Sequence, residues 1–500
     1  MYISTRGNYN TVSSSEAIKL GMVPSGGLFV PYKLPLFPLK QLLSMQGCSY
    51  QELALYLFDL FLEDYPAEEI SSCVYKAYNQ YNFHHRDIVP LQRLRSGGYI
   101  MELWHGPTAA FKDIALQIMP LFLSHALQRL EVEREMVILV ATSGDTGKAA
   151  LEGFKNVPGT KIIVFYPCGG VSKLQELQML TTDGPNTFVV GIEGNFDDCQ
   201  SAVKEIFGDC SYNKELASIG YELSSANSIN WGRLLPQIVY YFWAYLSLFE
   251  KGQIAAGEKI NFVVPTGNFG NILAGWYAWS MGLPVNRLLC ASNSNNVLTD
   301  FFGSGFYDRN RGFIKTRSPS MDILISSNLE RFLFEAAARD AEKISSWMID
   351  LQKKGCFQVD GKTLANMQNY IYADFADEAD TLETIRETYF SEGYPLDPHS
   401  AVGMNVYKKY RHLTGDETKT VIAATASPFK FGESVLEALK GREFLAGKDE
   451  FQLLEELGRV INLTIHPGLK DLDKKSVLHQ NVSTKMEIKE QLERILNGDV

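Results

Sequence analysis

Five hundred residues with 45% hydrophobic and 21% charged content describe a globular chain too long for a single hydrophobic core, so two or three domains are expected. A net charge of −11 argues against a nucleic-acid partner, which needs a basic face, and no apolar run approaches the roughly 20 residues of a bilayer span. Seven scattered cysteines without a C-x-x-C pair, and eight histidines without metal-ligand spacing, fit reduced thiols in a cytoplasmic protein better than a disulfide framework or a metal site.

The first residues lack a basic segment followed by an apolar run, so no secretory signal is expected. Residues 36–45 and 50–61 carry apolar side chains at helical spacing. Residues 1–90 therefore read as a mostly helical N-terminal cap domain. Next comes Glu102-Leu-Trp-His-Gly-Pro-Thr-Ala-Ala-Phe-Lys-Asp113, in which Lys112 follows a Gly-Pro turn among small and apolar neighbours. A lysine desolvated in such a setting loses its proton more readily and can act as a nucleophile toward a carbonyl cofactor.

From residue 91 onward strand and helix patterns alternate. Strands are expected at 136–140, 161–165, 188–192, 260–264, 288–291 and 421–425, with a long amphipathic helix over 231–248 among the intervening helices. Alternation of this kind predicts parallel sheets covered on both faces. Chain order suggests a small α/β domain, 135–225, inserted into a large one built from 91–134 and 226–500. Gly303-Ser-Gly305 and Asp308-Arg-Asn-Arg-Gly312 mark a loop expected near the site, and residues 440–500 are charged, helical in pattern and without evident chemistry.

Two of the strands run into glycine-rich loops that open helices: Ala141-Thr-Ser-Gly-Asp-Thr-Gly147 and Pro265-Thr-Gly-Asn-Phe-Gly-Asn271. Backbone N–H groups and the helix dipole favour an anion at such a junction. A nucleotide P-loop is excluded at 142–149, because Thr142 and Ala149 stand where the pattern needs Gly and Ser or Thr. Gly267, Gly270 and Gly275 likewise miss the dinucleotide-binding spacing.

These segments, with Tyr2-Ile-Ser-Thr-Arg-Gly7, Asn227-Ser-Ile-Asn-Trp-Gly-Arg233, Asp397-Pro-His-Ser-Ala-Val-Gly403 and Ala424-Thr-Ala-Ser-Pro-Phe-Lys-Phe431, resemble in order and nearly end to end the threonine synthase family. The resemblance implies an α/β fold of the fold-type-II pyridoxal 5′-phosphate kind, similar to the tryptophan synthase β subunit. It would comprise two sheet-and-helix domains and an N-terminal helical cap. The implied reaction is lyase chemistry of threonine biosynthesis: O-phospho-L-homoserine and water to L-threonine and phosphate, by γ-elimination and then β-addition of water. Lys112 would hold the cofactor as a Schiff base and shuttle protons. Gly267, Asn268, Phe269, Gly270 and Asn271 would cradle the cofactor phosphate, and Thr425 would bond the pyridine nitrogen. Ser143, Asp145 and Thr146 would meet the amino-acid end of the substrate, and Ser228, Asn230 and Arg233 its phosphate.

Ser25, Ser427 and Phe429 depart from the family's usual Asp, His and Ala, and the latter two bear on pocket shape. The alternatives are a related phospho-lyase that releases a 2-oxo acid, and a cofactor-binding protein without catalysis. A small-molecule substrate is expected, with neither nucleic acid nor membrane as partner, in a monomer or homodimer.

Overall fold

In the computed structural model, which describes residues 1–499, two mainly parallel sheets lie within one α/β body. The larger has six strands in the spatial order Ile371–Phe375, Val285–Ser292, Ile260–Pro265, Thr420–Ala424, Tyr99–Glu102, Leu91–Arg93. All its neighbours are parallel except the last pair. The smaller has five parallel strands in the order Asn481–Thr484, Thr187–Glu193, Thr160–Pro167, Glu135–Ala141, Tyr221–Ser224.

The unbroken apolar runs form the central strands because both faces of a parallel sheet are covered by helices. Ile260–Pro265 is buried at every residue, and Glu135–Ala141 at all but its ends. All six strands expected from the sequence are present, with ends displaced by no more than three residues. The long helix is Trp231–Glu250, buried along nearly its whole length, so it is a core helix and not an amphipathic one.

The first 90 residues supply helices Ser14–Leu20, Leu39–Ser44, Tyr50–Asp59 and Ala67–Ala77, the first and third opened by serine capping boxes. A short antiparallel pair, Tyr2–Ser4 with Phe29–Pro31, joins them. This layer has no separate core. Phe37 packs on Phe242 with ring centroids 5.0 Å apart, and Tyr50 on Trp243 at 5.6 Å, so its apolar face merges with that of the long helix.

Two expectations need correction. Residues 481–497 do not belong with the large domain: Asn481–Thr484 adds a fifth strand to the smaller sheet, and helix Ile488–Asn497 buries Ile488, Leu492, Ile495 and Leu496 against that sheet's strands and helices. A four-residue parallel strand pairing some 290 positions away leaves no local signature. The segment 303–312 also differs from the expected loop. Gly305, at φ +75°, closes helix Val297–Ser304, and Phe306–Asp308 pairs antiparallel with Cys356–Gln358. The loop that reaches the site is 316–328.

Candidate active site

Lys112 opens the short helix Lys112–Leu116. The loop before it is laid across the end of strand Thr420–Ala424. Phe111 N–H donates to the Thr425 carbonyl (2.8 Å), and Ser427 N–H to the Ala109 carbonyl (3.0 Å). Ala109 sits in the left-handed region at φ +61°, a strained conformation that surrounding bonds must impose. The fully buried Asp113 provides part of them, accepting from the Thr108 amide (2.8 Å) and hydroxyl (2.7 Å). Gly106 is required there, since a methyl group on it would lie 2.4 Å from Asp113 Cβ.

The Lys112 side chain is 11% exposed. Burial pushes its amine down to about 8; Asp145 pulls against that, and Lys430 and Arg233 add to it. Its Nζ donates to Ser320 Oγ (3.2 Å) and lies 3.6 Å from Asp145 Oδ2.

Asp145 is the charged hub. Its carboxylate accepts from Ser320 Oγ and Gln175 Nε2, each at 2.9 Å, and pairs with Lys430 Nζ at 2.9 Å. Burial alone would raise its pKa, but Lys430 and then Lys112 hold it well below the usual carboxylate range. Lys430 has no exposed side-chain surface, and its Nζ also donates to the Thr108 carbonyl (2.9 Å). His399 accepts the Ser320 amide on Nε2 (3.1 Å), so its own proton sits on Nδ1 and faces Asp397 (2.8 Å).

The second glycine loop opens helix Gly270–Ser280, with Phe269 left-handed at φ +65° and no side chain capping the helix. Its carbonyls are engaged from behind: Ser326 Oγ donates to Gly267 O (2.7 Å), and Asn328 N–H to Asn268 O (3.1 Å). Tyr240 and Tyr241 hydroxyls donate to Asn271 Oδ1 at 2.6 and 2.7 Å. That fixes the amide and leaves Asn271 Nδ2 buried without a protein partner.

Arg233 is 5% exposed and donates from Nη1 to the Ala226 carbonyl (2.7 Å), while its buried Nε has no partner. No carboxylate among the described residues pairs with it, and burial pushes its pKa down to about 10. Ser228 lies 3.3 Å from Ser327 Oγ, which itself reaches Asn268 Oδ1 at 3.3 Å. Ser228 of one predicted set and Asn268 of the other are therefore linked through Ser327.

Several expected residues carry other contacts. Asn230 caps helix Trp231–Glu250 through Gly232 N–H (2.8 Å) and donates to the Ile18 carbonyl (2.9 Å), so its side chain is committed to holding the N-terminal layer. Asp145 is occupied by two lysines instead of facing outward alone. Ser143 is exposed and Thr146 half-buried beside it. Thr425, 6% exposed, stands where strand Thr420–Ala424 ends.

Sequence reasoning passed over Lys430, Ser320 and His399. Lys430 had a signal, a lone lysine between Phe429 and Phe431 in an apolar stretch, as informative as the surroundings of Lys112. Ser320 had none. A buried amine titrating near 8, an uncapped helix start, an unpartnered Asn271 Nδ2 and an unpaired buried arginine together fit an aldehyde cofactor carrying a phosphate.

Three family models match the chain: "Threonine synthase N terminus" over residues 1–78, "Pyridoxal-phosphate dependent enzyme" over 87–426, and "Threonine synthase, C-terminal" over 400–490. The chain is 41% identical to human threonine synthase-like 1 over 439 residues, covering 86% of this chain and 58% of the relative's length. It thus spans less than two thirds of that relative. It is 37% identical to threonine synthase of Schizosaccharomyces pombe over 467 residues, covering 88% and 89%. The crystal structure of pyridoxal-phosphate-bound threonine synthase from Brucella melitensis superposes with a TM-score of 0.87 at 37% identity, covering 99% of this chain and 98% of the other.

Proposed function

The chain belongs to the threonine synthase family of pyridoxal-phosphate-dependent enzymes, and on that premise we propose that it converts O-phospho-L-homoserine and water to L-threonine and phosphate. The observation that carries this reading is the position of the buried Lys112 amine, joined through Asp145, Ser320 and Lys430 to loops that bring two sets of anion-binding groups together.

Bound pyridoxal phosphate supplies a carbonyl and a conjugated ring that makes the amino acid's α-carbon acidic. The loop 267–271 would hold its phosphate, the donors being the helix start and Asn271 Nδ2. The Thr425 hydroxyl would meet the ring nitrogen, and a neutral group there would leave that nitrogen largely unprotonated. Lys112 Nζ would take the α-proton and later the β-proton, phosphate would leave as the Cγ–O bond breaks, and the amine would return protons after water adds at Cβ. Its four-carbon stem suits a base that must serve neighbouring carbons. Arg233 and Ser228 would hold the substrate phosphate, where a planar guanidinium matches phosphate oxygens. Ser143 and Thr146 would meet the amino-acid end, and the fixed Asp145–Lys430 pair forms one wall.

All seven cysteines stand unpaired, which supports a reducing, cytoplasmic setting. No helix among the described residues is long and apolar enough to cross a membrane.

The test is incubation of the chain with pyridoxal phosphate and O-phospho-L-homoserine, with phosphate, threonine and 2-oxobutyrate measured together. Threonine equal to phosphate supports the proposal. Phosphate with 2-oxobutyrate makes the protein a phospho-lyase, and absence of phosphate release rejects both. Lys112→Ala should lower turnover by at least about 10⁴-fold, since one amine serves as both attachment and base.

A further inference from the structure

Two buried lysines share one carboxylate. Lys430 Nζ lies 2.9 Å from Asp145 Oδ1, whereas Lys112 Nζ lies 3.6 Å from Asp145 Oδ2, with Ser320 Oγ bridging the longer gap. The distances are unequal, and so is the anchoring. Lys430 is held at its other side by the Thr108 carbonyl, and its backbone N–H donates to the Ser427 carbonyl (3.0 Å). Lys112 has only the Ser320 hydroxyl as hydrogen-bond partner. A lone carboxylate beside a buried amine stabilises the ammonium form and would silence Lys112 as a nucleophile. With Lys430 already on the carboxylate, that attraction is largely cancelled.

We propose that Lys430 is a positioning residue that keeps Lys112 in its uncharged, reactive form by occupying the Asp145 carboxylate. The proposal rests on Lys112 being the reactive amine. The charged and titratable groups facing Lys112 agree with it. Asp145 comes from helix Asp145–Phe154, Lys430 from the turn Pro428–Phe431, and Arg233 from helix Trp231–Glu250. His399, from helix Pro398–Thr414, stands behind Ser320 and accepts its amide. On its own helix, Lys112 is followed by Asp113, which is turned away onto Thr108. Two cations therefore oppose one anion around the Lys112 amine.

The readout is the titration of Lys112 itself. The full chain, freed of bound aldehyde with hydroxylamine, is labelled with acetic anhydride from pH 6 to 11. Acetylation of the Lys112 peptide is then quantified by mass spectrometry. In the wild type, labelling should rise with pH through a midpoint at about 8 and level off roughly one unit higher. In Lys430→Met the rise should move to higher pH, with labelling at pH 7 about tenfold slower, equivalent to one pKa unit. Lys430→Arg should restore the wild-type curve to within about twofold, because the charge remains.

An unmoved curve in Lys430→Met, or a loss equal at every pH, overturns the proposal, the second outcome marking a merely structural lysine. Should that variant not fold, Lys430→Gln decides: the loss of the charge should again move the rise to higher pH, and a downward or absent shift rejects the role. Acetylation does not depend on the substrate, so a failure of threonine production leaves this titration readable.

Discussion

Two loops of the same strand–glycine–helix pattern flank Lys112, yet they are finished in opposite ways. In the loop 142–147 the protein supplies the acceptor itself: Thr142 Oγ1 receives the amides of Gly144 (3.0 Å) and Gly147 (2.9 Å), and Asp145, the first helical residue, is drawn into the pair with Lys430. In the loop 267–271 no side chain caps the helix, and contacts from Ser326 and Asn328 fall on carbonyls. One loop is closed upon itself and builds a wall. The other leaves its helix start without a side-chain acceptor. Glycine spacing alone does not separate these fates; the neighbouring acceptor does.

That contrast can be broken most severely at Gly267. A methyl group there would meet backbone atoms, Ser320 O at 2.9 Å and Met321 Cα at 3.1 Å, and would push away the segment that presents Ser320 to Lys112. Gly267→Ala should therefore weaken cofactor binding about 100-fold and cost about 1–3 kcal/mol of stability. An absorbance titration with pyridoxal phosphate and a urea melt would read both. Unchanged affinity would mean that this loop does not hold the cofactor.

Asn271→Ala should act more gently, raising the cofactor Kd about tenfold, the worth of one hydrogen bond to a charged group. Turnover in saturating cofactor should change by less than about threefold. Tyr240 and Tyr241 keep the Gln237 side chain and the Asn271 carbonyl as acceptors, so the fold is spared and the effect is confined to binding. The smallest effect belongs to the closed loop. Thr142→Val removes the acceptor of two amides and should lower stability by about 1–2 kcal/mol, with cofactor Kd within about twofold of wild type. A large loss of affinity there would show that both loops bind.

Much of this arrangement is legible in the chain because its signals are local. Unbroken runs such as Phe262-Val-Val264 name central strands, and glycine clusters after them name the loops. Lys112 is legible for the same reason, as a lysine among small apolar residues. What escapes depends on residues brought together across the fold. Ser320 matters only because His399, 79 positions later, holds its amide. Asn230 reads as a polar ligand until Ile18, 212 positions away, claims its amide. The strand Asn481–Thr484, with Val482 as its one apolar residue, acquires its role from the edge it completes.

That late strand bears on how the molecule is made. Val190 to Glu193 wait for partners at 481–484, so at about 5–20 residues per second the ribosome needs roughly 15–60 seconds to supply them. Until then the smaller sheet has an open edge at Thr187–Glu193 and lacks the cover of helix Ile488–Asn497 over its apolar surface. Open strand edges invite pairing between chains. Nascent and prematurely released polypeptides are thus expected to be the forms of this protein most exposed to aggregation, an exposure ended by pairing of Asn481–Thr484 and docking of helix Ile488–Asn497.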